Sequence, residues 1–455
     1  MYPAYKESGA VWLGVIPQHW RVGKLKNLID PTRRITYGIV QAGPDTSGGV
    51  PYIRPADMTN EQGVTDPNAL LRTTREIAEE YRRSLVRAGD LVCSIGPSFG
   101  KLMVVPGWLD GANLTQGTAR IAVEAPNVAR FVFWALRALP SVSQWEASIG
   151  GATFRALNLE PLANTLITIP PTSEQRLIAG FLDRETAKID ALIAEQEKLI
   201  ALLTEKRQAT ISQAVTRGLD PDVPMKDSGV AWVGQVPDHW EIGTIKKWFV
   251  TSSGGTPDTA RQDEFYADRG GYPWIRTTDL GNDRLATYEV AITEAAINAS
   301  ACAILPKNSV LVAMYGGEGT IGKNALLLFE SCINQAVCAL LPNEDFDSRY
   351  VWRFIQFFRP YWMIGAESSR KDPNISQALI RNAVMLRPPL HEQLAIADYL
   401  DVAGAKLDAL EQDAERSIAL LRERRSALIT AGVTGQIDVR GAVQMAHEAP
   451  EGVTA

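Results

Sequence analysis

The sequence predicts an α+β fold made by internal duplication: two α/β domains separated by two long antiparallel coiled-coil helices. Three observations in the 455 residues predict it. A long apolar-striped stretch occurs twice without a gap, as PPTSEQRLIAGFLDRETAKIDALIAEQEKLIALLTEKRQATISQAVTRGLD (170–220) and PPLHEQLAIADYLDVAGAKLDALEQDAERSIALLRERRSALITAGVTGQID (388–438). A tryptophan-bearing arm also occurs twice, and the two segments between arm and long stretch share an outline rather than a sequence. The expected division is 1–168, arm and first head; 169–220, first helix; 221–386, second arm and second head; 387–440, second helix; 441–455, a polar tail.

The arm KESGAVWLGVIPQHWRVGKLKNL (6–28) returns as KDSGVAWVGQVPDHWEIGTIKKW (226–248), with Trp12/Trp232, Pro17/Pro237, His19/His239 and Trp20/Trp240 in matched places. Gly and Pro set turns in such a segment, and tryptophans anchor it against an apolar surface. His19 and His239, fixed in a repeated Pro-x-His-Trp, read as structural residues.

The two heads follow one outline. Each has a Pro-aromatic-Ile-Arg strand (PYIRPADM, PWIRTTDL), an apolar run (GDLVCSIG, NSVLVAMYG) and a Gly-Lys pair (Gly100-Lys101, Gly322-Lys323). A Gln-bearing turn at Gln116 or Gln335 and an aromatic helix (FVFWALRAL, YVWRFIQFF) complete it. Short strands with Gly and Pro punctuation and one or two helices make α/β modules. Their loops have diverged, SSGGTPDTARQDEFYADRGG occurring only in the second.

In the long stretches, Ile178, Leu182, Ile189, Leu192, Leu199 and Leu203 recur at spacings of three, four or seven. That spacing predicts a coiled-coil seam. Pro-Pro opens each helix, Ser173 is the expected cap of the first, and a Gly closes both. Roughly 40 helical residues make a rod of about 60 Å. Its stripe needs a partner, and the other copy is the expected one.

Composition is that of a water-exposed folded chain, 45% hydrophobic and 22% charged, without an apolar run of membrane length or a signal-peptide pattern. Cys93, Cys302, Cys332 and Cys338 have no metal-ligand spacing and read as reduced thiols of a cytoplasmic protein. The net charge of −6 argues against a protein that coats nucleic acid on its own.

Catalytic chemistry is not expected in this chain. GEGTIGK (317–323) satisfies G-x-x-x-x-G-K, but Asn324 follows where a phosphate loop needs Ser or Thr for Mg²⁺. A tight turn presenting a lysine is the preferred reading. Asp57 and Asp279 recur without the neighbouring carboxylate and lysine of a metal nuclease and read as turn residues.

The arm KESGAVWLGVIPQHW, its twin, and the PPxxEQ-opened helices ending in TRGLD and TGQID resemble the specificity (S) subunit of type I restriction–modification enzymes. The resemblance runs from about Lys6 to Asp438. It implies that each head is a target recognition domain reading one half of a bipartite double-stranded DNA site, with the helices setting the unread gap. It implies a non-catalytic chain that docks two modification (methyltransferase) subunits and two ATP-dependent restriction subunits. No cofactor is expected here; S-adenosylmethionine, ATP and Mg²⁺ would belong to the partners. Neither head is strongly basic, so the partners are expected to supply much of the backbone grip and the isolated chain to show weak salt dependence. Arg and Lys suit guanine edges, Asn and Gln adenine. The candidates are Arg33, Arg34, Arg54, Arg72, Lys101, Gln116 and Arg155 in the first head. In the second they are Thr256, Arg276, Lys323, Gln335, Arg370, Lys371 and Asn374. Two rival readings remain at this point: a scaffold presenting two protein-binding modules, and an ATP-using enzyme built on Lys323.

Overall fold

The computed structural model describes residues 1–59, 63–64, 66–149, 155–267, 270–316, 319–367 and 374–441. The chain divides into two compact units, 1–196 with 416–455 and 197–415. Four helices frame the two units: α1 (Ala129–Arg137), α2 (Thr172–Arg217), α3 (Ser348–Glu367) and α4 (Leu390–Thr434). The unit boundary falls inside both long helices, so each unit owns one end of α2 and one end of α4.

In the first unit the arm folds as a hairpin, Tyr5–Glu7 against Val15–Pro17. The chain then enters strand Arg21–Lys24, which pairs antiparallel with Leu166–Ile169 immediately before α2. Between them the head forms a four-stranded sheet in the order Thr36–Tyr37, Thr118–Ile121, Leu91–Ser94, Leu102–Val104. A smaller sheet of Arg72–Thr73, Val50–Ile53 and Asn113–Leu114 stands beside it. All four residues of Leu91–Ser94 and of Thr118–Ile121 are buried, so neither strand alternates between core and solvent, and the second carries Arg120 inside. The core joins Trp20, Phe131, Phe133, Trp134 and Trp145 to Ile178 and Leu182 of α2 and to Ile429 and Val433 of α4.

The second unit repeats the plan. Its arm hairpin is Met225–Asp227 with Gln235–Pro237, and Glu241–Thr244 pairs with Val384–Arg387 before α4. Its sheet gains a strand, giving Thr251–Ser253, Val337–Leu340, Val310–Ala313, Asn324–Leu327 and Asp283–Leu285. The added strand, Asp283–Leu285, follows the matched stretch PWIRTTDL.

The arm tryptophans behave as their setting dictates. Trp20 and Trp240 are buried, and Trp232 packs on Phe358 and Tyr361 with ring centroids 4.9 and 4.3 Å away. Trp12 departs from the expected anchoring and stands 43% exposed. In the second unit the packing surface is the later part of α3; in the first, α1 ends at Arg137 and a separate helix, Leu139–Ile149, takes that place with Leu139 and Val142 where α3 has Phe358 and Tyr361.

Two details of the long helices correct the sequence expectation. α2 begins at Thr172, so Ser173 lies inside the first turn rather than at the cap, and the Pro171 carbonyl accepts the Gln175 N–H. The covered positions of α2 alternate by four and three as Leu182, Thr186, Ile189, Ile193, Gln196, Ile200, Leu203 and Arg207. Ile178, Leu182, Ile189 and Leu203 are buried as expected, whereas Leu192 and Leu199 are 45% and 39% exposed. Ile193 and Ile200, one residue later, hold the seam instead. Asp183, about three turns into α2, is fixed against the head by Arg130 and Trp134.

Both helices close as expected, at Gly218 and Gly435 with φ of 76° and 77°, the left-handed cap that glycine adopts without strain. A Cβ on Gly435 would come within 2.4 Å of Pro17, and one on Gly218 within 3.3 Å of Trp240. Each helix end is therefore seated on an arm, α4 on the first and α2 on the second.

Candidate nucleic-acid interface

The matched Glu-Gln pair at the start of each long helix positions everything else. In the first unit Glu174 accepts hydrogen bonds from His19 Nε2 at 2.7 Å and Trp20 Nε1 at 2.9 Å. Burial pushes the Glu174 carboxyl up, but the Trp20 and His19 hydrogen bonds outweigh it and hold it below its ordinary value. Gln175 accepts the Val128 N–H at 2.9 Å, satisfying a donor at the start of α1. In the second unit Glu392 takes His239 at 2.6 Å and Trp240 at 2.9 Å, and Gln393 takes the Asp347 N–H at 3.0 Å before α3. His19 and His239 are thus latch residues, as the repeated motif implied.

Head and rod are also tied by charge. Asp183 accepts from Arg130 and Trp134, both at 2.7 Å. Its counterpart Asp401 takes Arg353 at 3.1 Å and Arg284, with Arg349 shared between Asp398 and Asp401. The side chains that face outward on each head are therefore held on a braced frame.

On that frame the two heads present one constellation. Arg54 donates from Nε and Nη2 to Asp57 at 2.9 and 2.6 Å, and its backbone N–H caps the same carboxylate at 2.8 Å. Arg276 repeats the arrangement on Asp279, with backbone contact at 2.8 Å, and adds Glu289 at 2.9 Å. Asp57 and Asp279 are turn residues that orient an arginine. Lys101 donates to the carbonyls of Pro55 and Met58 at 3.2 and 3.5 Å, so it buttresses the Arg54 turn. Gln116 is exposed in an open groove of about 420 Å³ with Tyr37, Val40 and Asn158. In the second head Gln335 accepts a hydrogen bond from Thr256, and the adjacent Asn334 N–H bonds Ile275, next to Arg276. Arg54, Lys101 and Gln116 thus meet at one end of the first sheet, and Arg276, Gln335 and Thr256 at the matching end of the second.

The remaining candidates scatter. Arg155 is exposed and ion-paired to Glu146. Arg72 donates to the Gly49 carbonyl at 3.1 Å on an edge strand. Arg33 is locked on Asp90 and, with exposed Arg34, lies at the opposite end of the sheet. Lys323 is half-buried and Asn374 exposed; Arg370 and Lys371 lie outside the described residues. Asn158, not among the candidates, joins the Gln116 groove; no spacing in the sequence marks it, because sheet closure brings it there.

The Gly322-Lys323 turn is built for another task than cradling phosphate. Arg359 donates to the Gly319 and Ile321 carbonyls at 2.7 and 3.2 Å. Asn324 is buried and accepts the Trp352 indole N–H at 3.0 Å. Burial pushes the Cys93, Cys332 and Cys338 thiols up to about 12, which makes them poor nucleophiles. Among the described residues no His, Cys, Asp and Glu group could hold a metal ion, and no helix is long and apolar enough to cross a membrane.

Comparison with known proteins gives a consistent set of likenesses. The family model for the type I restriction modification DNA specificity domain matches twice, at residues 17–201 and 237–419. The EcoBI specificity subunit of Escherichia coli is 27% identical over 201 residues, covering 44% of this chain and 42% of that protein. The putative MjaX specificity subunit of Methanocaldococcus jannaschii is 21% identical over 456 residues, 96% and 98% of the two chains. Among solved structures, a chain from a type I R-M system matches with TM-score 0.71 and 17% identity over 93% of this chain and 99% of its own. The HsdS subunit from Thermoanaerobacter tengcongensis matches with TM-score 0.52 and 17% identity over 93% and 98%.

Proposed function

Because the chain belongs to the type I restriction modification DNA specificity family, we propose that it is the non-catalytic subunit telling such a complex which DNA to act on. The first head reads one half of a bipartite site and the second head the other. The antiparallel ends of α2 and α4 set the unread gap. Bond-making is left to two modification subunits carrying S-adenosylmethionine and to two restriction subunits using ATP and Mg²⁺.

One observation carries this reading. An identical latch of Glu, Gln, His and Trp fixes two heads whose outward faces differ, Gln116 standing in an open groove and Gln335 held by Thr256. A shared frame with divergent faces suits two different half-sites held in fixed relation. The Arg54 and Arg276 pairs supply the preorganisation: each guanidinium is oriented by its aspartate, leaving Nη1 for a guanine edge. Leucines exposed in both copies of the helix, Leu192 with Leu410 and Leu202 with Leu420, suit docking of the modification subunits.

The test is to map methylated adenines in cells with and without the gene, then with residues 21–168 replaced by the first head of another family member. A bipartite motif in which only one half changes is expected. Change in both halves contradicts independent heads.

A further inference from the structure

The first head carries an open cleft of about 770 Å³ away from the Arg54 and Gln116 constellation. Six arginines line it: Arg33, Arg34, Arg82, Arg83, Arg87 and Arg120. Two are neutralised locally, Arg33 by Asp90 and Arg82 by Glu79 at 3.2 Å. The others face one lining carboxylate, Asp110, which itself accepts the Ala88 N–H at 2.9 Å. Arg120 is buried at the floor and donates to the carbonyls of Arg34, Arg83 and Leu85. Its charge is thus spent on holding in place the two segments that carry the rim arginines. Arg34, Arg83 and Arg87 are exposed on that rim. Clustering like charges is unfavourable unless an anion joins them, and guanidiniums on a rigid mount suit phosphate oxygens.

Among the described residues, the second unit lacks the device. Arg120 pairs with Thr36 and Val92 in the first sheet. The matching ladder position in the second sheet is Ala339, opposite Ser252 and Leu311. An alanine there has no group to tie down basic loops.

We propose that this cleft grips the phosphodiester backbone of duplex DNA beside the half-site read by the first head, a contact made without reading bases. The inference rests on the specificity-subunit reading above. It refines the expectation of weak grip: the chain's backbone contact is concentrated on one head, while its overall charge stays negative.

The test uses the full chain assembled with its modification subunits and labelled duplexes with and without the methylated site. Arg34→Gln, Arg83→Gln and Arg87→Gln are combined, all three side chains being exposed. Affinity is expected to fall roughly 10- to 100-fold for both duplexes at low salt. The slope of log affinity against log salt should flatten by about 2 to 3, and the methylated sequence should stay the same. An unchanged affinity and slope, beside a wild type that still prefers its site, overturns the cleft alone. Loss confined to the cognate duplex also overturns it, because the arginines then read bases. Impaired assembly with normal DNA affinity per assembled complex assigns the cleft to an acidic protein surface instead. Tighter binding of inorganic triphosphate than of duplex assigns it to a small anion. A wild-type complex with no sequence preference sinks the specificity reading and this inference with it.

Discussion

Glu174 shows how much one side chain can organise. It holds His19 and the indole of Trp20 across 155 and 154 residues of sequence, and both bonds are charge-assisted. Hydrogen bonds to charged groups contribute about 1.5–3 kcal/mol each, and a stranded indole N–H adds its own penalty. Glu174→Gln is therefore expected to destabilise the first unit by about 2–4 kcal/mol at neutral pH, read from urea unfolding by Trp fluorescence. The pH dependence has a definite sign. The folded carboxyl lies below its ordinary value, so its stabilisation is complete above the ordinary carboxylate range and fades as pH falls through the lowered folded value. The gap between wild type and Glu174→Gln should close in strong acid; a constant gap would mean that the carboxylate's ionisation is not what stabilises the arm. In the sequence the Glu174/Glu392 and His19/His239 pairs were visible as repeats, but that each Glu bonds its own His was not. Nothing in local spacing reports a contact made by strand pairing far away. At the same scale, Arg54→Ala is expected to relax recognition in one half-site only, by about 1–3 kcal/mol per base, with the other half read normally in methylation mapping. Arg276→Ala should do the converse.

At the scale of elements, the seam of the long helices holds the main lesson. The repeat, the helical period and the glycine stops were legible because a period near 3.5 residues has no other structural meaning. Which face turns inward was less legible. Leu192 and Ile193 are both apolar, so spacing alone does not choose between them. The register carries a second signal that a search for apolar stripes passes over. In the first unit Arg425 donates to Asp190 at 2.8 Å. In the second unit Arg207 pairs with Asp408 and with Glu411. Asp190 and Asp408 are copies of each other, as are Arg207 and Arg425. Such pairs sit beside or within the apolar seam and select one alignment over its slipped neighbours. Asp190→Arg is expected to cost about 1 kcal/mol, and the double change Asp190→Arg with Arg425→Asp to recover most of it in a double-mutant cycle. Absence of recovery would show that the pair does not select the register.

For the whole molecule, the plan of arm, head and helix repeated twice was legible from the sequence, since duplicated scaffolds keep their turn glycines and latch residues. The proposed reading faces were not. Arg54 and Arg33 look alike as residue types, yet one is mounted in a turn on Asp57 and the other is locked on Asp90 at the opposite end of the sheet. The arginine cleft was hidden for a related reason. Arg82, Arg83 and Arg87 form a visible local cluster, but Arg34 and Arg120 join them only through the sheet.

The central claim is that two independent readers share a ruler made of helix. The most direct measurement is to remove seven residues, one heptad, from each of α2 and α4 and to sequence methylated adenines in the host genome. A heptad shortens a helix by about 10 Å, at most about three base pairs at roughly 3.4 Å per step. The account predicts the same bases in both half-sites with a shorter gap between them. The original gap, or a change in the bases themselves, would contradict it.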